Sequence, residues 1–183
     1  GNIHPNNVRN NVWRLVDYDG DTRPDLVIGV GDWTEYGWDN AYNARGEWIN
    51  GPLHGHVYWM RNTGSSARPV YAPKQFVEAG GAAVDVYGLP TPSFADYDGD
   101  GDPDLYLVAD GANRLYQNSI SGTRWLQVAL TGTASNESAV GAEVVAVSGS
   151  LRQTQSFGGG SGARSQSAQP LVFGLDAAAT LDS

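Results

Sequence analysis

Cysteine is absent from the 183-residue chain, which excludes disulfide staples and a thiol nucleophile and leaves the redox compartment open. No apolar run approaches the roughly 18 residues of a membrane-spanning helix, so no membrane span is expected. Nor does the chain open on the charged-then-apolar pattern of a signal peptide, so an exported protein would be represented here by a mature or trimmed form. Lys and Arg number 11 against 20 Asp and Glu, and the net charge of −9 lacks the basic face that nucleic acid demands. Helical periodicity is missing too: no stretch of roughly ten residues or more repeats its apolar positions at the helical spacing.

What is present reads as β structure. Short segments rich in β-branched and aromatic residues occur at Val12–Val16, Leu26–Val30, Val57–Arg61, Leu105–Val108, Trp125–Leu130, Val144–Val147 and Leu171–Phe173. Turn-forming sequences separate them, among them Asn62-Thr-Gly64, Gly80-Gly81, Ser121-Gly122, Ser148-Gly149 and Gly158–Gly162. The expected class is all-β. Composition shifts from Trp, Tyr and Asp to Ala, Ser, Gln, Val and Gly near residue 120, which predicts one module over 1–120 and a second over 121–183.

The acidic residues are not spread evenly. Leu15-Val-Asp-Tyr-Asp-Gly-Asp-Thr-Arg-Pro-Asp-Leu26 recurs as Phe94-Ala-Asp-Tyr-Asp-Gly-Asp-Gly-Asp-Pro-Asp-Leu105, 79 residues later. Each copy is followed by an apolar strand, and then by another ending in Arg61-Asn-Thr-Gly64 or Tyr116-Gln-Asn-Ser119. Calcium takes six to eight hard oxygen ligands, and a tight loop supplies them best from alternate positions. With Asp17 as position 1, carboxylates fall at Asp17, Asp19, Asp21 and Asp25, and in the second copy at Asp96, Asp98, Asp100 and Asp104. Arg23 and Asp102, at position 7, offer backbone carbonyls. Gly20 and Gly99 permit the turn. An EF-hand would place Glu at position 12, where this chain has Ile28 and Leu107 inside strands, so the likeness ends with the first half of that loop. Carboxylates crowded this closely repel one another without a cation. Two calcium ions are therefore expected, and they would bring the formal charge to −9 + 4 = −5.

The Asp-x-Asp-Gly-Asp-x-x-x-Asp-Leu pattern, followed by a glycine-containing strand, resembles the FG-GAP/VCBS repeat of integrin-α-like propellers over roughly residues 8–118. The resemblance implies four-stranded β-propeller blades with calcium between the first two strands. Trp125-Leu-Gln-Val-x-Leu-x-Gly-Thr, Gly141-Ala-Glu-Val, Gly159-Gly-Ser-Gly-x-x-Ser-Gln-Ser and Leu171-Val-Phe-Gly-Leu175 are similar to the ASPIC/UnbV module. That module often follows such repeats in secreted bacterial proteins and in a cartilage matrix protein, which implies an extracellular or cell-surface location. Members usually continue into a strand ending near Trp-Pro-x-Gly, whereas this chain stops at Leu181-Asp-Ser183.

The first repeat is interrupted at 31–56 by a segment carrying Trp33, Tyr36, Trp38, Tyr42 and Trp48 among polar residues. Such rings stack on sugars or bury at protein interfaces, and they equally form a small satellite core of their own. Glu35, Asp39 and Glu47 are the carboxylates a glycosidase would need, although loop carboxylates are more often only solvated. His54-Gly-His56 would place both imidazoles on one strand face, with no third ligand evident from spacing. Gly158–Gly162 lacks the Gly-Lys-Ser/Thr of a phosphate loop, and Asn136-Glu-Ser138 fits the glycosylation sequon.

The function these features point to is a non-catalytic, calcium-stabilised extracellular binding or adhesion module with a glycan or extracellular protein as partner. Three other readings stay open: a self-associating filament subunit that completes its sheets by strand addition, a fragment of a propeller-type polysaccharide-acting enzyme, and a purely structural role for the calcium with no ligand at all. Two blades cannot close a propeller, so the chain is expected either to belong to a longer polypeptide or to associate.

Overall fold

A computed structural model describes residues 8–37, 40–120, 124–134, 136–158 and 170–176. All regular structure among them is β-strand, arranged in several small antiparallel sheets. The chain parts into two compact units. One comprises Gly1–Val16, Arg23–Phe94 and Asp104–Asn118; the other gathers Asp17–Thr22, Ala95–Pro103 and Ser119–Ser183.

In the first unit β1 (Val8–Val16), β2 (Asp25–Asp32) and β3 (His54–Met60) form an antiparallel meander. Next in order come β4 (Gln75–Phe76), β5 (Glu78–Ala79), β6 (Ala82–Ala83) and β7 (Asp85–Tyr87). β3 pairs with β4 through Tyr58 and Trp59 and with β7 through His54, Gly55 and His56. Between these two pairings the chain leaves the sheet as the β5–β6 hairpin. Gly80 and Gly81, both at positive φ (62° and 82°), make its two-residue turn, a conformation that glycine adopts without steric cost. Val27, Val30, Leu53, Val57, Val77, Val84 and Val86 are buried here.

A three-stranded sheet follows, in the order β10-β9-β8, made by β8 (Thr91–Ala95), β9 (Asp104–Val108) and β10 (Arg114–Tyr116). Leu105 and Leu107 bury one face of β9, while Tyr106 and Val108 alternate outward. Gly29 in β2 is needed for close approach, because a Cβ there would collide with the Pro90 carbonyl.

The second unit contains β11 (Arg124–Val128), β12 (Glu143–Ser148), β13 (Leu151–Ser156) and β14 (Leu171–Asp176). β11 pairs with β14, and β12 forms a hairpin with β13. Phe173, Leu175, Ala146 and Phe157 are its buried apolar residues. On β13 the half-buried positions are Leu151, Gln153 and Gln155, with Arg152, Thr154 and Ser156 exposed. The two glutamine amides donate to the β14 carbonyls of Gly174 and Val172, at 2.5 and 2.6 Å. This strand is absent from the sequence expectation because its inner face is polar. The glycine-rich motif at 159–167, the 177–183 end, Ser121-Gly122, Trp38 and Asp39 lie outside the described residues.

Candidate metal centre

Both acidic loops join a strand of the first unit to the strand beside it, β1 to β2 and β8 to β9, and their backbones follow the same course. Position 4 is left-handed in each, Gly20 at φ 70° and Gly99 at 82°, and so is position 6, Thr22 at 73° and Gly101 at 94°. From position 6 the backbone N–H donates to the position-1 carboxylate: Thr22 to Asp17 Oδ2 at 2.9 Å and Gly101 to Asp96 Oδ2 at 3.2 Å. The second loop adds donations from Gly99 N–H to Asp96 (2.8 Å), Asp100 N–H to Asp98 (3.2 Å) and Asp102 N–H to Asp100 (3.0 Å).

Position 9 is built differently. Asp25 and Asp104 are essentially inaccessible, and each accepts a backbone N–H from the asparagine that ends its repeat, Asn62 at 2.7 Å and Asn118 at 2.8 Å. Asn62 in turn ties down the following turn, donating to the Pro24 carbonyl and accepting from the N–H groups of Gly64 and Val70. The repeated Asn was visible in the sequence as part of the motif, but its tie to the last aspartate of the loop was not.

Ligand atoms of Asp17, Asp19 and Asp21 lie within 4.8 Å of one another, as do those of Asp96, Asp98 and Asp104. Oxygens on one coordination sphere at about 2.4 Å from its centre can be up to about 4.8 Å apart, so each trio fits around a single hard cation. Asp17 Oδ1 and Asp19 Oδ1 are also shut off from solvent, where holding a carboxylate charge is costly. The donor set is all oxygen. These clusters can hold metal ions. Asp25 and Asp100 belong to the same loops without entering those trios, and Arg23 and Asp102 sit at position 7 in each.

The second unit packs β11 and β14 against the loops that belong to it. A Cβ on Gly101 would overlap the indole of Trp125 on β11. A Cβ on Gly174 of β14 would come within 2.6 Å of Asp17 Oδ2 and 3.3 Å of the Gly20 carbonyl. Trp125 and Gly174 are cross-strand partners. One large and one absent side chain thus meet two loops of opposite character: glycine at position 6 lies under the indole, while the loop with Thr22 lies against the glycine.

Residues 96–150 match the family model of the FG-GAP-like repeat, and residues 132–183 match that of ASPIC and UnbV. The matched FG-GAP-like repeat begins on Asp96, position 1 of the second acidic loop, and the loop at Asp17 is its internal copy. The ASPIC and UnbV match takes in the β12–β13 hairpin and β14. Neither the curated proteins nor the solved structures yield a match to this chain.

The aromatic segment inserted into the first repeat packs largely on itself. Trp33 meets Tyr36 edge-on at 5.2 Å, Tyr36 meets Trp48 at 4.6 Å, and Tyr42 meets Trp48 edge-on at 5.2 Å. A bridge between Tyr42 and Trp48 closes this small loop, and Asn43 braces it by accepting from Arg45 and Glu47 N–H. Tyr42 is 64% exposed, whereas Trp33, Tyr36 and Trp48 are half-buried. Of the loop carboxylates, Glu47 accepts from the Asn43 amide at 2.7 Å and Glu35 lies 3.5 Å from His54.

Proposed function

We propose that the chain is an extracellular binding module that acts without catalysis and whose two acidic loops each bind one calcium ion. The observation that carries this reading is the repetition of one loop geometry, with oxygen donors grouped in both copies. Calcium suits such sites better than magnesium, which requires near-ideal octahedral geometry and keeps several waters. FG-GAP-like and ASPIC/UnbV domains are common in secreted bacterial proteins, and calcium is abundant outside cells. Within the module the metal sets loop geometry, and the exposed Tyr42 face of the insertion presents a surface to a glycan or an extracellular protein.

An ion that binds only the native state adds RT ln(1 + [L]/Kd) to stability, about 2.7 kcal/mol at a hundredfold excess over Kd. Chelation should therefore lower the melting temperature, and Asp19→Ala with Asp98→Ala should remove most of that dependence. A melting curve indifferent to chelator would sink the calcium reading.

Self-association by strand addition has an observation of its own. Among the described residues β1 pairs only with β2, and it carries Trp13 and Leu15 at 60% and 56% exposure. With Leu26, Ile28 and Tyr71 they line an open apolar groove of about 410 Å³. An exposed apolar edge strand is a template for pairing with another chain. Light scattering across a concentration series tests it, and a 19.5 kDa monomer at every concentration would exclude it.

A further inference from the structure

Away from the acidic loops, β3 carries donors of a different chemistry. His54 and His56 are two residues apart, so the pleat puts both imidazoles on one face, and the rings stack at 5.8 Å with planes 4° apart. Strand pairing then supplies what sequence spacing did not show. β7 sets Asp85 directly opposite His56. Its carboxylate reaches both rings, with Oδ2 at 2.7 Å from His54 Nδ1 and Oδ1 at 4.0 Å from His56 Nδ1. One donor atom from each of the three residues lies within 4.8 Å of the others.

Two imidazoles and one carboxylate are the donor set of a borderline transition ion, whereas calcium takes oxygen alone. Tetrahedral ligands at about 2.0–2.1 Å from zinc are about 3.3 Å apart, so small rotations of these partly exposed side chains would close the set. The surroundings fit as well. A ligating histidine commonly gives its other ring N–H to a carboxylate, and Glu35 Oε2 stands 3.5 Å from His54 Nε2. Glu35 is held there by close packing on Gly51, where a Cβ would come within 2.7 Å of it. Asp32 lies opposite His54 across the β2–β3 pairing and accepts from Thr34, so three carboxylates surround two imidazoles. A divalent cation balances that excess of negative charge.

We propose that His54, His56 and Asp85 bind one zinc-class divalent ion, with Glu35 orienting His54 and a further coordination position left for water or an added ligand. The test uses the full chain, stripped with chelator, returned to saturating calcium and titrated with zinc by calorimetry. The expected result is one zinc per chain beyond the calcium, at micromolar affinity or tighter. His56→Ala and Asp85→Asn should each weaken it about a hundredfold, and Glu35→Gln about tenfold. Asp85 is 41% exposed on its side chain, so its asparagine variant reports on binding even where a histidine variant folds poorly. Asp19→Ala with Asp98→Ala should leave the zinc isotherm unchanged, which separates this site from the acidic loops. Absence of zinc uptake by the wild type, equal uptake by Asp85→Asn, or loss of uptake in the acidic-loop variant would each overturn the proposal.

Discussion

Replacing Gly101 by alanine puts a methyl group into the Trp125 ring, while replacing Gly99 two residues earlier puts one into open space. Both positions have positive φ, 94° and 82°, so both substitutions incur the left-handed penalty of about 1–2 kcal/mol. Each recovers about 0.4–1 kcal/mol because alanine restricts the unfolded chain more than glycine. Gly99→Ala should therefore destabilise by about 1 kcal/mol. Gly101→Ala must in addition displace the indole, and overpacking of this kind costs about 1–3 kcal/mol, for a total of about 2–4 kcal/mol. At about 2–4 °C per kcal/mol for a chain of this size, the two variants should differ by several degrees in melting temperature. The measurement is thermal or urea unfolding at saturating calcium, followed by circular dichroism and tryptophan emission so that coincidence of the transitions can be checked. Combining Gly101→Ala with Trp125→Ala should cost less than the sum of the single losses, with a coupling of about 1–3 kcal/mol. If Gly101→Ala and Gly99→Ala lose equal stability, or if the double variant is additive, the indole does not rest on the loop.

Asp25→Ala and Asp104→Ala should each cost about 1–3 kcal/mol in urea unfolding, because Asn62 and Asn118 then lose buried acceptors, and the loss should persist in chelator. In chelator-treated protein the Asp85 hydrogen bond holds the His54 pKa above its ordinary value of 6.5, against an opposing effect of burial. The folded state therefore binds that proton more tightly. Its contribution is fully present below about pH 6.5 and is lost as pH rises through the folded value, so Asp85→Asn should flatten the dependence of melting temperature on pH over that window. Tyr42→Ala should abolish retention on a polysaccharide or protein array while changing stability by no more than about 0.5 kcal/mol, the usual scale for an exposed site. A loss of folding in its place would show that the ring braces Trp48 and nothing more.

The all-β class and most of the longer strands were legible because their apolar residues alternate or run together: β1, β2, β9, β12 and β14 each contain an expected segment, and β3 and β11 each overlap one. The acidic loops were legible because they repeat. What the sequence hid is non-local. Asp85 lies 29 residues beyond His56, and only the β3–β7 pairing brings it opposite. β13 reads Leu-Arg-Gln-Thr-Gln-Ser, and its inward glutamines make hydrogen bonds where an apolar side chain would pack, so no hydrophobic alternation marks it. β8 carries Pro92 and begins beside Pro90, which obscures a strand in any propensity argument. The meeting of Trp125 and Gly174 with loops far away in sequence leaves no trace in local pattern.

The glutamines of β13 bear on how copies of this chain would meet. Two main-chain acceptors of β14, at Gly174 and Val172, already hold side-chain amides. A strand arriving from a neighbour and seeking those acceptors would first have to evict a seated donor, and would gain no net bond by doing so. β1 offers Trp13 and Leu15 uncovered beside a groove. Among the described residues the β14 edge is thus hemmed and the β1 edge is open, so strand addition of the kind proposed would begin at β1.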